Sequence, residues 1–258
     1  MIQTYEKNNI LSLRLARPAQ RNALTLDMIV ELKRLLDASS TRNDISVIVI
    51  DALGDLFCAG ADIEWMKASA SLSVEQNEKE AKLLFELLYT MTSFPKPIVA
   101  RVKGSVYGGG VGLIAACDAV VADETATFCM SEVKLGLTPS MISPFVIQKM
   151  GYAWFKHYAL TANVFGSREA LSYGLVSQCE DSGNLDEALK TLLSKLLKNS
   201  PSAMAEVKML TQFVFEQHHW NIFSNELPKH IAKVRSSSQG QEGLAAFLEK
   251  RKPSWVKS

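Results

Sequence analysis

Glu132 is the residue with the clearest chemical potential in this chain. It lies in FCMSEVKLG, between Met130-Ser131 and Val133-Lys134-Leu135, among small or apolar neighbours. A carboxylate in apolar surroundings has a raised pKa, which suits general acid or base work near neutral pH. A salt bridge to Lys134 or Arg101, or plain exposure, is the structural reading of the same residue. Upstream, Gly108-Gly109-Gly110 precedes the short apolar run Val111 to Ala116. Three glycines allow a sharp turn and close ligand approach, and a helix start leaves N–H groups without intrahelical acceptors. With the helix dipole behind them, those N–H groups can stabilise developing negative charge, though the same glycines also suit a tight turn beneath a packed helix. A second glycine loop, Cys58-Ala59-Gly60-Ala61-Asp62, follows the apolar run Ile45 to Ile50. One N–H from each loop would make an oxyanion hole for a carbonyl oxygen. Asp62 itself is read as a loop-capping carboxylate.

Other chemistries fit the sequence less well. GSVYGGG lacks the spacing of a dinucleotide fingerprint and is not a phosphate-binding P-loop. No serine sits in a G-x-S-x-G context. His157, His218, His219 and His230 have no cysteine or acid at ligand spacing, so no metal site is expected. Cys58, Cys117, Cys129 and Cys179 are scattered through mostly apolar runs, as reduced core cysteines are. A net charge of +1 offers nothing for nucleic acid or an acidic membrane surface. The first residues have no signal-like apolar region, and no apolar run reaches the roughly 18 residues of a membrane span. The expectation is a cytoplasmic protein with neither nucleic acid nor membrane as partner.

The elements that must position these residues alternate between strand and helix. Ile10 to Leu15 reads as a strand with which Met1 to Tyr5 can pair, ended by Pro18. Thr25 caps a helix over Leu26 to Leu36, whose apolar positions are Ile29, Leu32, Leu35 and Leu36. Ile45 to Ile50 is apolar at almost every position, the pattern of a strand covered on both faces. A helical turn over Ile63 to Lys67, a polar link from Ser69 to Gln76 and a helix over Glu75 to Thr92 follow. Ile98 to Val102 and Ala119 to Ala122 read as strands around the triple-glycine turn, and Pro139 to Met150 as a helix. After Gly166 the pattern is helical over Arg168–Ser172, Asp186–Leu197, Ser202–His218 and Gly243–Glu249, with no convincing strand. The fold class expected is α/β with parallel strands, residues 1–195 forming the core and 196–258 a helical region.

Taken together, five blocks resemble the crotonase superfamily, the enoyl-CoA hydratase/isomerase family. They are RPAQRNAL (Arg17–Leu24), FCAGADIEWM (Phe57–Met66), KPIVARVKGSVYGGGVGLIAACD (Lys96–Asp118), FCMSEVKLGLTP (Phe128–Pro139) and EGLAAFLEKRKP (Glu242–Pro253). The resemblance covers essentially the whole chain. It implies a crotonase (ClpP/crotonase-like) fold of repeated ββα units with a C-terminal helical region, assembled as a homotrimer or dimer of trimers. It implies an acyl-CoA thioester substrate and no separate cofactor, since coenzyme A is part of the substrate. The oxyanion donors map to the N–H groups of Ala61 and Gly109, and the catalytic acid–base to Glu132. Coenzyme A contacts map to Arg21, Ala23, Ala59, Asp62, Ile63 and, from a neighbouring subunit, Lys250. Trp65, Met66, Gly112 and Pro139 are the acyl-pocket candidates. Ordinary hydratases of the family carry a first glutamate where this chain has Gly112, and a rise in crotonyl-CoA hydration on substituting glutamate there would show that the vacancy limits ordinary hydratase activity. The residues therefore leave three readings open. One is an enoyl-CoA hydratase, with a branched or carboxylated acyl group of the methylglutaconyl or carboxygeranoyl kind. The others are an enoyl-CoA isomerase using Glu132 as single base, and an acyl-CoA-binding scaffold.

Overall fold

The computed structural model describes residues 1–217 and 220–256. The chain runs β1 (Ile2–Lys7), β2 (Ile10–Leu15), α1 (Leu26–Ser40), β3 (Val47–Ala52), α2 (Ile63–Ser69), α3 (Val74–Ser93), β4 (Ile98–Val102) and β5 (Ser105–Tyr107). It continues through α4 (Gly109–Ala115), β6 (Ala119–Asp123), β7 (Thr127–Cys129), a 3-10 turn over Glu132–Leu135, α5 (Ser143–Thr161), β8 (Phe165–Gly166) and α6 (Ser167–Ser172). The last elements are β9 (Gln178–Glu180), α7 (Leu185–Leu196), α8 (Pro201–Glu216), α9 (Trp220–Ser236) and α10 (Ser238–Leu248). Six strands form one sheet in the order β1-β2-β3-β4-β6-β9, and β5-β7-β8 form a smaller one. From β2 to β9 the large sheet is parallel, with β1 folded back antiparallel at its edge so that Ile2 faces Leu15.

The two-sided burial expected of the third strand follows from its alternation. Ile48 and Ile50 belong to the main core, with Leu13, Leu32, Leu87 and Leu113. Val47 and Val49 point the other way and pack with Val99, Val121 and Leu193 of α7. Each such fully buried aliphatic side chain contributes roughly 1.5–3 kcal/mol, so α7 closes the second face and belongs to the sheet. Thr25 caps α1 by accepting from Met28 N–H, and Ser73 with Gln76 forms a capping box at the start of α3.

Two expectations are corrected. The helix placed at Pro139 begins at Ser143 and continues to Thr161 through a kink at Gly151, where φ is +77°. Pro144 sits in its first turn, where the missing N–H costs nothing, and Pro139 instead accepts the Ser143 N–H from outside the helix. Strand pairing also continues where a purely helical pattern is expected. After Gly166, β9 pairs parallel with β6 through Val121↔Gln178. A three-residue edge strand is too short to show a period. The helix expected to end at His218 is α8, which stops at Glu216; His218 and His219 lie outside the described residues.

Candidate active site

Two loops are stapled together beside the start of α4. Cys58 N–H donates to Ser105 O at 3.2 Å and Tyr107 N–H donates to Cys58 O at 2.9 Å, which joins the second glycine loop to β5. On the loop's other side, Leu24 N–H donates to Gly60 O at 2.8 Å and Leu24 O accepts from Asp62 N–H at 2.9 Å. Leu24 therefore straddles Ala61 in a parallel bridge, and the N–H of Ala61 points away from Leu24. Gly109 is the first residue of α4 and has no intrahelical acceptor. Among the described residues, neither the Ala61 nor the Gly109 N–H has a hydrogen-bond acceptor. Gly60 and Gly108 have φ of +98° and +47°, conformations that favour glycine. A Cβ at Gly108 would lie 3.7 Å from the Gly60 Cα, so the two turns touch.

Glu132 reaches this junction. Its Oε1 lies 3.3 Å from the position of a Cβ at Gly108, immediately before the Gly109 donor. Its Oε2 is buried and has no hydrogen-bond partner among the described residues. Burial pushes the Glu132 carboxyl above the usual carboxylate range, offset in part by a backbone hydrogen bond. Neither salt bridge considered from the sequence forms among the described residues, and Arg101 pairs instead with Asp186. The result is a half-buried acid–base group, with its Oε2 fully buried, beside two N–H donors, a combination suited to moving a proton while a carbonyl oxygen takes up charge.

Asp62 caps α2, accepting from Glu64 N–H and Trp65 N–H, and pairs with Arg17 at 3.0 Å. The same Arg17 Nη1 donates to Ala23 O at 2.9 Å. Asn22, which the sequence pattern does not single out, is buried; its side chain accepts from Arg17 N–H and donates to Leu53 O and Leu56 O. Its φ of +51° is the available signal, because asparagine tolerates that region better than most residues. Arg21 is exposed, and its carbonyl accepts from Ala59 N–H, so Arg21, Ala23, Ala59 and Asp62 form one edge with exposed Ile63 beside it. Lys250 stands apart, exposed after α10.

The acyl-pocket candidates divide. Trp65 and Met66 are half-buried on α2, and Pro139 is half-buried in the turn before α5. Gly112 is buried and sealed: a Cβ there would lie 2.3 Å from Ile142 Cγ2 and 3.1 Å from Leu88 Cδ1. It has no room to line a pocket with a side chain. The thiol of Cys58, packed beneath Gly110, is pushed up to about 12 by burial and is not a nucleophile near neutral pH.

The Enoyl-CoA hydratase/isomerase family matches residues 5–258. A 2,3-dehydroadipyl-CoA hydratase of Escherichia coli is 32% identical over 248 residues, covering 96% of this chain and 95% of that protein. A peroxisomal Delta(3,5)-Delta(2,4)-dienoyl-CoA isomerase of Arabidopsis thaliana is 30% identical over 275 residues, covering 100% and 96%. The crystal structure of an enoyl-CoA hydratase from Shewanella pealeana superposes with a TM-score of 0.95 at 36% identity, covering 98% of this chain and 95% of that one. The chain belongs to the enoyl-CoA hydratase/isomerase family and has its α/β crotonase fold of repeated ββα units with a C-terminal helical bundle.

Proposed function

We propose that this protein adds water to a 2-enoyl-CoA thioester, with Glu132 as the single acid–base group. The observation that carries the reading is the Glu132 carboxylate, buried and unpartnered at Oε2 beside the Ala61 and Gly109 donors. Glu132 takes a proton from water as the water oxygen bonds to Cβ. The Cα–Cβ electron pair moves toward the thioester, whose oxygen is held by the two N–H groups. Glu132 then returns the proton to Cα, giving a 3-hydroxyacyl-CoA. The edge on which exposed Arg21 and Ile63 flank Ala23, Ala59 and Asp62 supports coenzyme A binding there.

A second reading is favoured by the sealed Gly112. With one carboxylate, Glu132 can remove a Cα proton from a 3-enoyl-CoA and return it at Cγ, shifting the double bond without water. Product mass separates the two: a gain of one water supports hydration, an unchanged mass with altered absorbance supports isomerisation, and neither overturns both. Exposed apolar residues on the C-terminal helices, including Phe215, Phe247 and Leu248, support self-assembly as a trimer, which light scattering tests.

A further inference from the structure

The indole of Trp65 donates to Glu80 Oε2 at 2.7 Å, joining α2 to α3. Glu80 is half-buried, and among the described residues no lysine or arginine pairs with it. Its place follows from two contacts. Leu84 Cδ2 lies 3.7 Å from the position of a Cβ at Gly109, and Leu88 Cδ1 lies 3.1 Å from that at Gly112. Along this contact α3 and α4 therefore run in the same sense, residue 84 level with 109 and 88 with 112. Glu80 is one turn before Leu84 on the same stripe, about 6 Å further along the axis. That step passes the N-terminal end of α4, the side toward which the Gly109 N–H points. Trp65 lies four residues after Ala61, the other donor, on the helix that Asp62 caps. The Trp65–Glu80 bond thus joins the helix that follows the Ala61 donor to the helix packed against α4, whose first residue is the Gly109 donor.

We propose that Glu80 is a specificity-determining residue that holds Trp65 as a wall of the acyl site and restricts the acyl group to uncharged chains. The inference rests on the acyl-CoA reading above, and it selects against the carboxylated substrates among the readings that the sequence leaves open. A neutral indole N–H orients the Glu80 carboxylate without cancelling its charge. A second carboxylate brought within about 6 Å, at an effective dielectric between protein and water, loses about tenfold or more in affinity. An uncharged chain meets no such repulsion.

The test compares acyl groups of equal length. Binding of hexanoyl-CoA and adipyl-CoA, which lack the reactive double bond, is measured by calorimetry, and turnover of 2-hexenoyl-CoA and 2,3-dehydroadipyl-CoA by product mass. The wild-type protein should favour the uncharged member of each pair by at least about tenfold. Glu80→Gln keeps an acceptor for the indole and should narrow that ratio to within about threefold, and Glu80→Lys should narrow or invert it. A wild-type protein that binds both saturated thioesters equally, or a Glu80→Gln protein with the wild-type ratio, overturns the proposal. Binding with the expected ratio but no turnover leaves it standing and overturns the hydration reading. Failure to bind either thioester overturns both.

Discussion

Positions 112 and 132 lie close to the same glycine turn and have opposite surroundings. At Gly112 the space a side chain would enter is occupied by Ile142 and Leu88. At half-buried Glu132 one carboxylate oxygen, Oε2, is buried without any partner among the described residues. Burial without a partner is costly for a carboxylate and is retained where it serves chemistry. The contrast teaches that a side chain at position 112 has no space to enter, because Ile142 and Leu88 close over it, and this packing fits the single-carboxylate reading proposed above.

Removing that carboxylate is the largest break. Glu132→Gln should lower kcat about 10³-fold, the scale of a general acid–base group, while acyl-CoA affinity measured by calorimetry stays within about threefold. Next is the attempt to refill position 112. Gly112→Glu must displace Ile142 and bury a charge, so it should lower unfolding free energy by about 3 kcal/mol in urea and bring no gain in crotonyl-CoA hydration. Gly112→Glu with Ile142→Gly should recover part of the stability. A stable single variant with increased hydration would show that position 112 is a vacancy that limits hydratase activity, and would undo the contrast.

Much of this site is legible in the sequence because its signals are local. The glycine loops, the apolar run of β3 and the isolated acid at 132 each announce themselves within a few residues. Long-range packing does not. Nothing near Gly112 shows that Ile142, far along the chain, fills its space. In the sequence Arg17 is one of two loop arginines, and only the fold reveals that it binds both Ala23 O and Asp62. Edge strand β9 escapes a pattern reading for a related reason, since its three half-buried residues take their conformation from Val121 to Asp123 beside them. Proline blurs the start of α5 because it suits any position in a first turn or the link before it.

The Arg17–Asp62 pair sharpens the comparison at a third point. Arg17→Met removes the cation that ties the loop after β2 to the loop carrying Ala61, leaving Asp62 its two backbone bonds. Stability should fall by about 2 kcal/mol in urea. Turnover should fall by more than KM rises, because the donor shifts while most binding contacts remain; a change confined to KM would show that the pair does not position the oxyanion hole.

The smallest effect distinguishes Glu132 from Asp62 by pH. Burial raises the Glu132 carboxyl above its ordinary value of 4.5, so the folded state favours the protonated form. That contribution is complete below the unfolded value and is lost as pH rises through the folded one. Glu132→Gln, which cannot ionise, should therefore gain stability relative to wild type between about pH 5 and about pH 8. For Asp62, burial raises the carboxyl, but hydrogen bonds from Arg17, Trp65 and Glu64 outweigh it and hold it below 3.8. Its contribution is present above the unfolded value and disappears as pH falls through the folded one, so Asp62→Asn should be destabilised across the same window. Urea unfolding of both variants at the two pH values checks the pair. Parallel pH trends would mean that Glu132 is stabilised like Asp62, and the case for a strained catalytic carboxylate would fall.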